Sequence, residues 1–376
     1  MHPPDPASRT FGDDVAFLRR HADVEVLSDG AAALAVVPAW QGRVATSTAA
    51  GPDAEGFGFL NDARIASDRA DPQINVFGGE DRCWIGPEGS RFSLYFDVGA
   101  PMTFPQWRVP RCIDLDPWAV VARGPRSISF RHEAVLTNRA GSRFALRFDR
   151  DIALLSRAEA AARFGGGGAG TDLVAYETRN ALTNIGDAAW TRESGAPSLW
   201  IIGMYKAAPR TTAIVPLRRG AAAELGPAVV DDYFGRVPAD RLRVADDAAY
   251  FNADGRLRSK IGVPPRRSLG RAGAFDPDRG ALTLVAYAPP AGDPPYVNSL
   301  WTPDVDPYSG DAINAYNDGP NESGAQFGAF YELETSSPAL FLAPGASATH
   351  VHATAHATGS RDAVRAFARA ALGVEV

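Results

Sequence analysis

Cysteine is almost missing from this chain: its 376 residues carry two, Cys83 and Cys112. Two thiols make neither a disulfide framework nor, by themselves, a zinc cluster. The expectation is a pair of inert buried thiols, with a single bridge between them as the alternative. A basic excess is missing too. The 38 Lys and Arg residues are outnumbered by 44 Asp and Glu, for a formal net charge of −6. The arginine cluster Arg266, Arg267 and Arg271 is short and has no interleaved aromatics. A nucleic-acid partner would leave a basic footprint, and none is expected.

Long apolar runs are also absent. No stretch approaches the roughly 18 residues of a membrane span, so no membrane partner is expected. The opening MHPPDPASRTFGDDVAFLRR has no apolar signal-peptide segment. The default compartment is the cytoplasm; a chain trimmed of an export signal would read the same and belong in the periplasm. There is no internal repeat of about 20 to 50 residues. The GGGG run at 165–168 is not followed by Lys-Ser or Lys-Thr. It is therefore no phosphate loop and reads as a flexible surface loop.

What remains is an ordinary globular composition, 45% hydrophobic and 22% charged. A helix is predicted from Phe11 to His21, with Thr10 as its cap. After Gly30 come short β-like runs separated by Gly, Pro, Asn and Asp: 33–37, 92–96, 127–136, 144–148, 173–183, 199–204, 211–215 and 282–287. In one of them Ile128, Phe130, His132 and Ala134 alternate with Ser129, Arg131 and Glu133. Such runs predict a mainly β chain folded as a large antiparallel sandwich. A last amphipathic helix, 360–372, is capped by Ser360 and buries Val364, Phe367, Ala371 and Leu372. No linker divides the chain. Residues 1–29 read as a helical lead-in and 30–376 as the sandwich domain with its C-terminal helix.

The densest chemistry lies in FGAFYELETSSPALFLAPGASATHVHATAHATG, residues 327–359. A strand from Phe330 to Thr335 puts Glu332 and Glu334 on one face. Pro338, Pro344 and Gly345 mark a turn. A second strand, 348–358, puts His350, His352 and His356 on one face. Were the two strands neighbours in one sheet, carboxylates and imidazoles would meet across it.

The segment Leu333-Glu334-Thr335, followed by a Leu-Ala-Pro-Gly turn and a closing strand, resembles the C-terminal end of galactose mutarotase-like (aldose 1-epimerase) domains. Asn180-Ala-Leu-Thr-Asn184 is similar to the Asn-Leu-Thr-Asn segment of that family. Val76-Phe77-Gly78-Gly79, with Trp84 following, is similar to its His-Gly-Gly segment. Together they cover the chain from about residue 30 to its end. The resemblance implies a galactose mutarotase-like sandwich with a sugar-facing concave surface, and Glu334 as the base at the anomeric centre. Two histidines of the family pattern are replaced, by Ile185 and Phe77, so the resemblance does not carry the mutarotase reaction with it. The whole chain also resembles an uncharacterised bacterial family with GGEDR, NDGP and FYELETSSP segments, which has no assigned activity to transfer.

The candidate catalytic residues are Glu334, Glu80 and Glu332. A base near neutral pH needs a raised pKa or a partner acid, and paired carboxylates also serve glycoside hydrolysis. Trp84 could stack on a pyranose while Asp81 and Arg82 bind hydroxyls; the plainer reading is an Asp–Arg turn and a core tryptophan. The stretch 296–320 offers Asn298, Trp301, Asn314, Tyr316, Asn317 and Asp318 as sugar contacts. Asp304, Asp306 and Asp311 invite calcium, but Pro307 and Gly310 break the EF-hand spacing. Lys260 could present a cation. His350 and His352 are about 7 Å apart on one strand. They could bind substrate, or hold a single divalent metal with Glu332 or Glu334 completing the site, or serve structure. No cofactor is required. The expected activity is acid/base chemistry on a sugar, with mutarotase or epimerase the nearest named activity. A glycoside hydrolase or lyase, and a non-catalytic sugar-binding protein, are the alternatives. An enzyme is expected to open Glu334 into the largest concave cavity.

Overall fold

The structure, a computed structural model, describes residues 9–67, 69–321 and 324–376. Among them the strands form three antiparallel sheets of three, ten and five strands. The five-stranded sheet runs, edge to edge, Ser259–Val263, Ile313–Asn317, Phe330–Ser336, Ser198–Lys206 and Arg82–Gly86. The ten-stranded sheet carries Ser347–Gly359 near its middle, between Ala281–Tyr287 and Thr171–Asn184. The predicted β-sandwich is therefore the architecture, and the glutamate strand sits at the centre of its smaller sheet.

The condition for carboxylates and imidazoles to meet within one sheet is not fulfilled. Phe330–Ser336 pairs with Ile313–Asn317 and Ser198–Lys206. The histidine strand pairs with Ala281–Tyr287 and Thr171–Asn184 in the other sheet. The two strands instead face each other across the sandwich, where the Thr335 hydroxyl lies 2.8 Å from both His350 Nε2 and His352 Nδ1. Period two does the rest. Because Tyr331, Leu333 and Thr335 point inward, Glu332 and Glu334 point out of the sandwich, away from every histidine of that strand.

The inward layer is unusually polar. Arg150 and Asp81, both fully buried, pair at 2.6 Å. Arg150 also donates to Asn180 Oδ1 and to the Gly42 carbonyl, and Thr178 donates to Asp81. Glu80 accepts from the Ser47 backbone N–H and hydroxyl and lies 3.0 Å from His356 Nε2. On the other face of the histidine strand Ala353, Ala355 and Ala357 are small enough for the C-terminal helix to lie close, against Val364, Phe367 and Leu372.

Both terminal helices form where predicted. Thr10 caps Phe11–Leu18 through a reciprocal box with Asp13. Ser360 caps Arg361–Leu372, its Oγ accepting from the Ala363 N–H at 3.3 Å. Ser360→Ala is expected to cost about 1 kcal/mol, read as a lower urea midpoint; an unchanged midpoint contradicts the cap. The run 92–96 is not a strand. Its groups are used locally instead: Leu94 N–H donates to the Pro87 carbonyl and Tyr95 Oη to the Ile85 carbonyl. Glycines 165–168 are tied rather than free, since Arg157 donates to the carbonyls of Gly167 and Gly168. Cys83 and Cys112 are free and buried, and burial pushes both thiols up to about 12. Among the described residues no helix is long and apolar enough to cross a membrane.

Candidate functional site

The outward face of the five-stranded sheet gathers one residue in two from each strand. Register places Arg82 beside Ile202, Ile202 beside Glu334, Glu334 beside Asn314, and Tyr316 beside Lys260. Lys260 Nζ donates to Glu334 Oε2 at 2.9 Å, and Trp200 Nε1 donates to the same oxygen at 2.8 Å. Arg82 pairs with Glu332 at 2.5 Å, its guanidinium 5.0 Å from the Trp84 ring. Trp84 stands edge-on to Trp200. Glu334 is fully buried, yet its Oε1 has no hydrogen-bond partner. Arg82 Nε, Trp84 Nε1 and Ser198 Oγ on the same face are also buried without partners. A buried polar atom left unpaired is costly and calls for an explanation.

Charge is concentrated here. Burial pushes the Glu332 carboxyl up to about 7 against the pull of Arg82, with Glu334 adding to the rise. Burial likewise pushes Asp311 up to about 7, although Tyr233 donates to it. Burial favours the neutral amine of Lys260, but the carboxylates of Glu334 and Glu88 outweigh it and hold the pKa above the ordinary lysine value. Burial also raises Asp318, which accepts from Tyr316 Oη at 2.6 Å.

For Glu332 and Asp311 the folded carboxyls bind protons more tightly than the unfolded ones. Stability should therefore fall as pH rises from about 4 to about 7, the window between the ordinary and raised values. Glu332→Gln should flatten part of that slope in urea titrations at stepped pH. An identical slope in the variant contradicts the shift.

The predicted residues divide. Glu334, Glu332, Arg82, Trp84 and Lys260 share this face, and Asp318 lies at its edge through Tyr316. Glu80 and Asp81 do not belong to it; they are spent in the polar layer between the sheets. His350 and His352 also lie between the sheets, where burial lowers their pKa values to about 3 and about 4. The carboxylates expected to complete a metal site with them are on the far side of the sheet. Among the described residues no three His, Cys, Asp or Glu side chains are grouped to hold a metal ion. The calcium acids do not converge: Asp306 accepts from the Tyr308 N–H and Asp311 from Tyr233. Asn298 ties its own loop, to Ser309 and Leu300, whereas Asn317, at a strand end, fastens a distant segment through Gly255 and Leu257. Trp301 packs against Phe96 and Trp107.

Sequence reasoning missed Trp200, Ser198 and Tyr233. The first two sit in SLWIIGMYK, an apolar run with no polar signal. Tyr233 comes from the segment 228–237, a strap pinned to the sheet edge by paired backbone bonds between Val230 and Gly262. Phe234 of this strap lies edge-on to Tyr316 and under Arg258. The strap corrects the expectation that Glu334 opens into the largest cavity. Beside it lies a space of only about 20 Å³, lined by Trp200, Tyr233, Lys260, Asp311 and Asn314 among others. A larger cavity of about 200 Å³ is elsewhere.

The large antiparallel sandwich is a galactose mutarotase-like fold. The Slr1438 protein of Synechocystis sp. PCC 6803 shares it at 15% identity and a TM-score of 0.54, over 90% of this chain and 96% of that one. A GalM/aldose epimerase homologue from C. elegans does so at 10% identity and 0.51, over 90% and 100%. A galactose mutarotase-like protein from Lactobacillus casei ATCC 334 does so at 10% and 0.50, over 89% and 100%. At such identities the likeness concerns the fold alone. Within that fold, the chain belongs to a family of unknown function (DUF6786), which matches residues 9–376. No curated protein matches the sequence.

Proposed function

We propose that the protein is a carbohydrate-active enzyme doing acid/base chemistry on a free sugar, an aldose epimerase in type, at the outward face of the five-stranded sheet. The observation that carries this reading is Glu334: a fully buried carboxylate with one oxygen held by Lys260 and Trp200 and the other without a partner. The partnerless groups around it are mixed, an acceptor at Glu334 and donors at Arg82 and Trp84. Hydroxyls, which both donate and accept, suit such a set.

In this reading Glu334 Oε1 takes the proton of the anomeric hydroxyl as the C1–O5 bond breaks. Glu332, protonated in part near neutral pH, gives a proton to the ring oxygen. Rotation about C1–C2 and reversal of both transfers deliver the other anomer. Glu332 and Glu334 stand side by side on one strand, about 7 Å apart by strand geometry. They do not flank a cleft, an arrangement that favours ring opening over hydrolysis of a glycosidic bond. Entry requires the strap 228–237 to lift, since the space beside Glu334 holds about one water.

The test is exchange NMR of anomeric protons across a panel of free sugars and oligosaccharides. Faster interconversion of a free sugar's anomers is the expected result. Release of a new reducing end identifies a hydrolase instead. Binding without any conversion identifies a sugar-binding protein.

A further inference from the structure

The cavity of about 200 Å³ lies between the sheets, on the inward side of the glutamate strand. It has room for roughly seven waters at about 30 Å³ each, the size of one small ring compound. Its rim carries Glu55, Lys206, Asp276 and Arg279. These charges cancel: Arg279 pairs with Glu55 at 2.9 Å and with Asp276 at 2.7 Å, and Lys206 lies 3.7 Å from Glu55. An ion would meet no net charge there.

A hydrogen-bonded chain runs along the wall. His356 Nε2 lies 3.0 Å from Glu80 Oε2, and its Nδ1 lies 3.0 Å from the Thr283 hydroxyl. The Tyr331 hydroxyl donates to Thr283 at 3.2 Å. Tyr331 and Thr283 both line the cavity. With its proton committed, the Tyr331 oxygen offers the cavity lone pairs alone, and a ligand must bring an O–H or N–H to it. Thr211, another lining residue, has a hydroxyl with no partner among the described residues. Phe57 supplies an apolar wall, held by stacking on His356 at 4.4 Å. A charge-neutral rim, committed acceptors, threonine hydroxyls and an aromatic ring fit one ligand chemistry. We propose that this cavity is a second binding site, separate from the Glu334 face, for a neutral polyhydroxylated molecule of monosaccharide size.

The test is ligand-observed NMR and calorimetry on the full chain with D-glucose, D-galactose and myo-inositol as probes, and D-glucuronate as the charged comparison. At least one neutral probe should bind and keep its affinity in Glu334→Gln. Tyr331→Phe should weaken that binding about tenfold, the loss of one hydrogen bond. Thr283→Val breaks the same chain one step deeper and should weaken it comparably, with folding of both variants checked by thermal melting. Four results would overturn the proposal: no neutral probe binding at millimolar concentration, binding lost wholly in Glu334→Gln, affinity unchanged in folded Tyr331→Phe and Thr283→Val, or glucuronate binding tighter than glucose.

Discussion

Glu334→Gln is expected to lower turnover by two or more orders of magnitude while the protein keeps its fold. The amide retains the shape of the carboxylate, and its oxygen can still accept from Trp200 Nε1 and Lys260 Nζ. What it cannot do is take a proton at the position where Oε1 now lies without a partner. Loss of the counter-charge to buried Lys260 should lower the melting temperature as well. The measurement is the anomer exchange rate per folded molecule, with folding checked by circular dichroism. Full activity in a folded Gln variant would remove Glu334 from the mechanism and leave the outward face as a binding surface at most.

The second large effect is on stability. Arg150 sits between the sheets with no solvent contact, bound to Asp81, Asn180 and the Gly42 carbonyl. Arg150→Met should cost about 3–5 kcal/mol, because it strands Asp81 as a buried charge with only Thr178 to satisfy it. Removing both charges, as Arg150→Met with Asp81→Leu, should recover part of that loss, since no charge is left stranded while Asn180, Thr178 and the Gly42 carbonyl still lose partners. Urea unfolding of the three proteins measures both quantities. A single variant within about 1 kcal/mol of the parent would show that the pair is solvated in solution.

Much of this architecture was legible in the sequence because it rests on local rules. Alternation in 330–336 and 347–359 gave the facing of every glutamate and histidine relative to its own strand. Thr10 and Ser360 marked the helix starts through side-chain geometry that spans three residues. The sheet to which each strand belongs is not local. Glu334 lies beside Ile202, and His352 beside Thr178, through pairings that no nearby residue announces. Two strands only a short turn apart in sequence can thus lie in different sheets, and the turn 337–346 carries the chain from one to the other.

The same limit explains the divided site. Glu80, Asp81 and Arg82 are consecutive charged residues in the sequence, yet the first two face inward and the third outward. Gly78 and Gly79, at φ of 92° and 112°, lead into the strand by a backbone path that breaks simple alternation. A Cβ at Gly78 would stand 2.0 Å from the Phe59 carbonyl oxygen, so the double glycine serves close chain packing as well. Asn298 has the residue type of a sugar contact but folds back on its own loop, a habit of asparagine in turns, and Asn317 is used to fasten Gly255 and Leu257 to the sheet. Trp200 and Tyr233 were hidden for opposite reasons, one in an apolar run and one in a strap whose landing place only the fold reveals.

The central claim is that sugar chemistry happens at the outward face of the five-stranded sheet. A crystal structure of the protein with a bound substrate sugar tests it most directly. The account predicts a ring against Trp84 with a hydroxyl within hydrogen-bond distance of Glu334 Oε1, Glu332 near the ring oxygen, and the strap 228–237 displaced. A substrate ring found only in the cavity between the sheets, with Glu334 still sealed behind Tyr233, would contradict it.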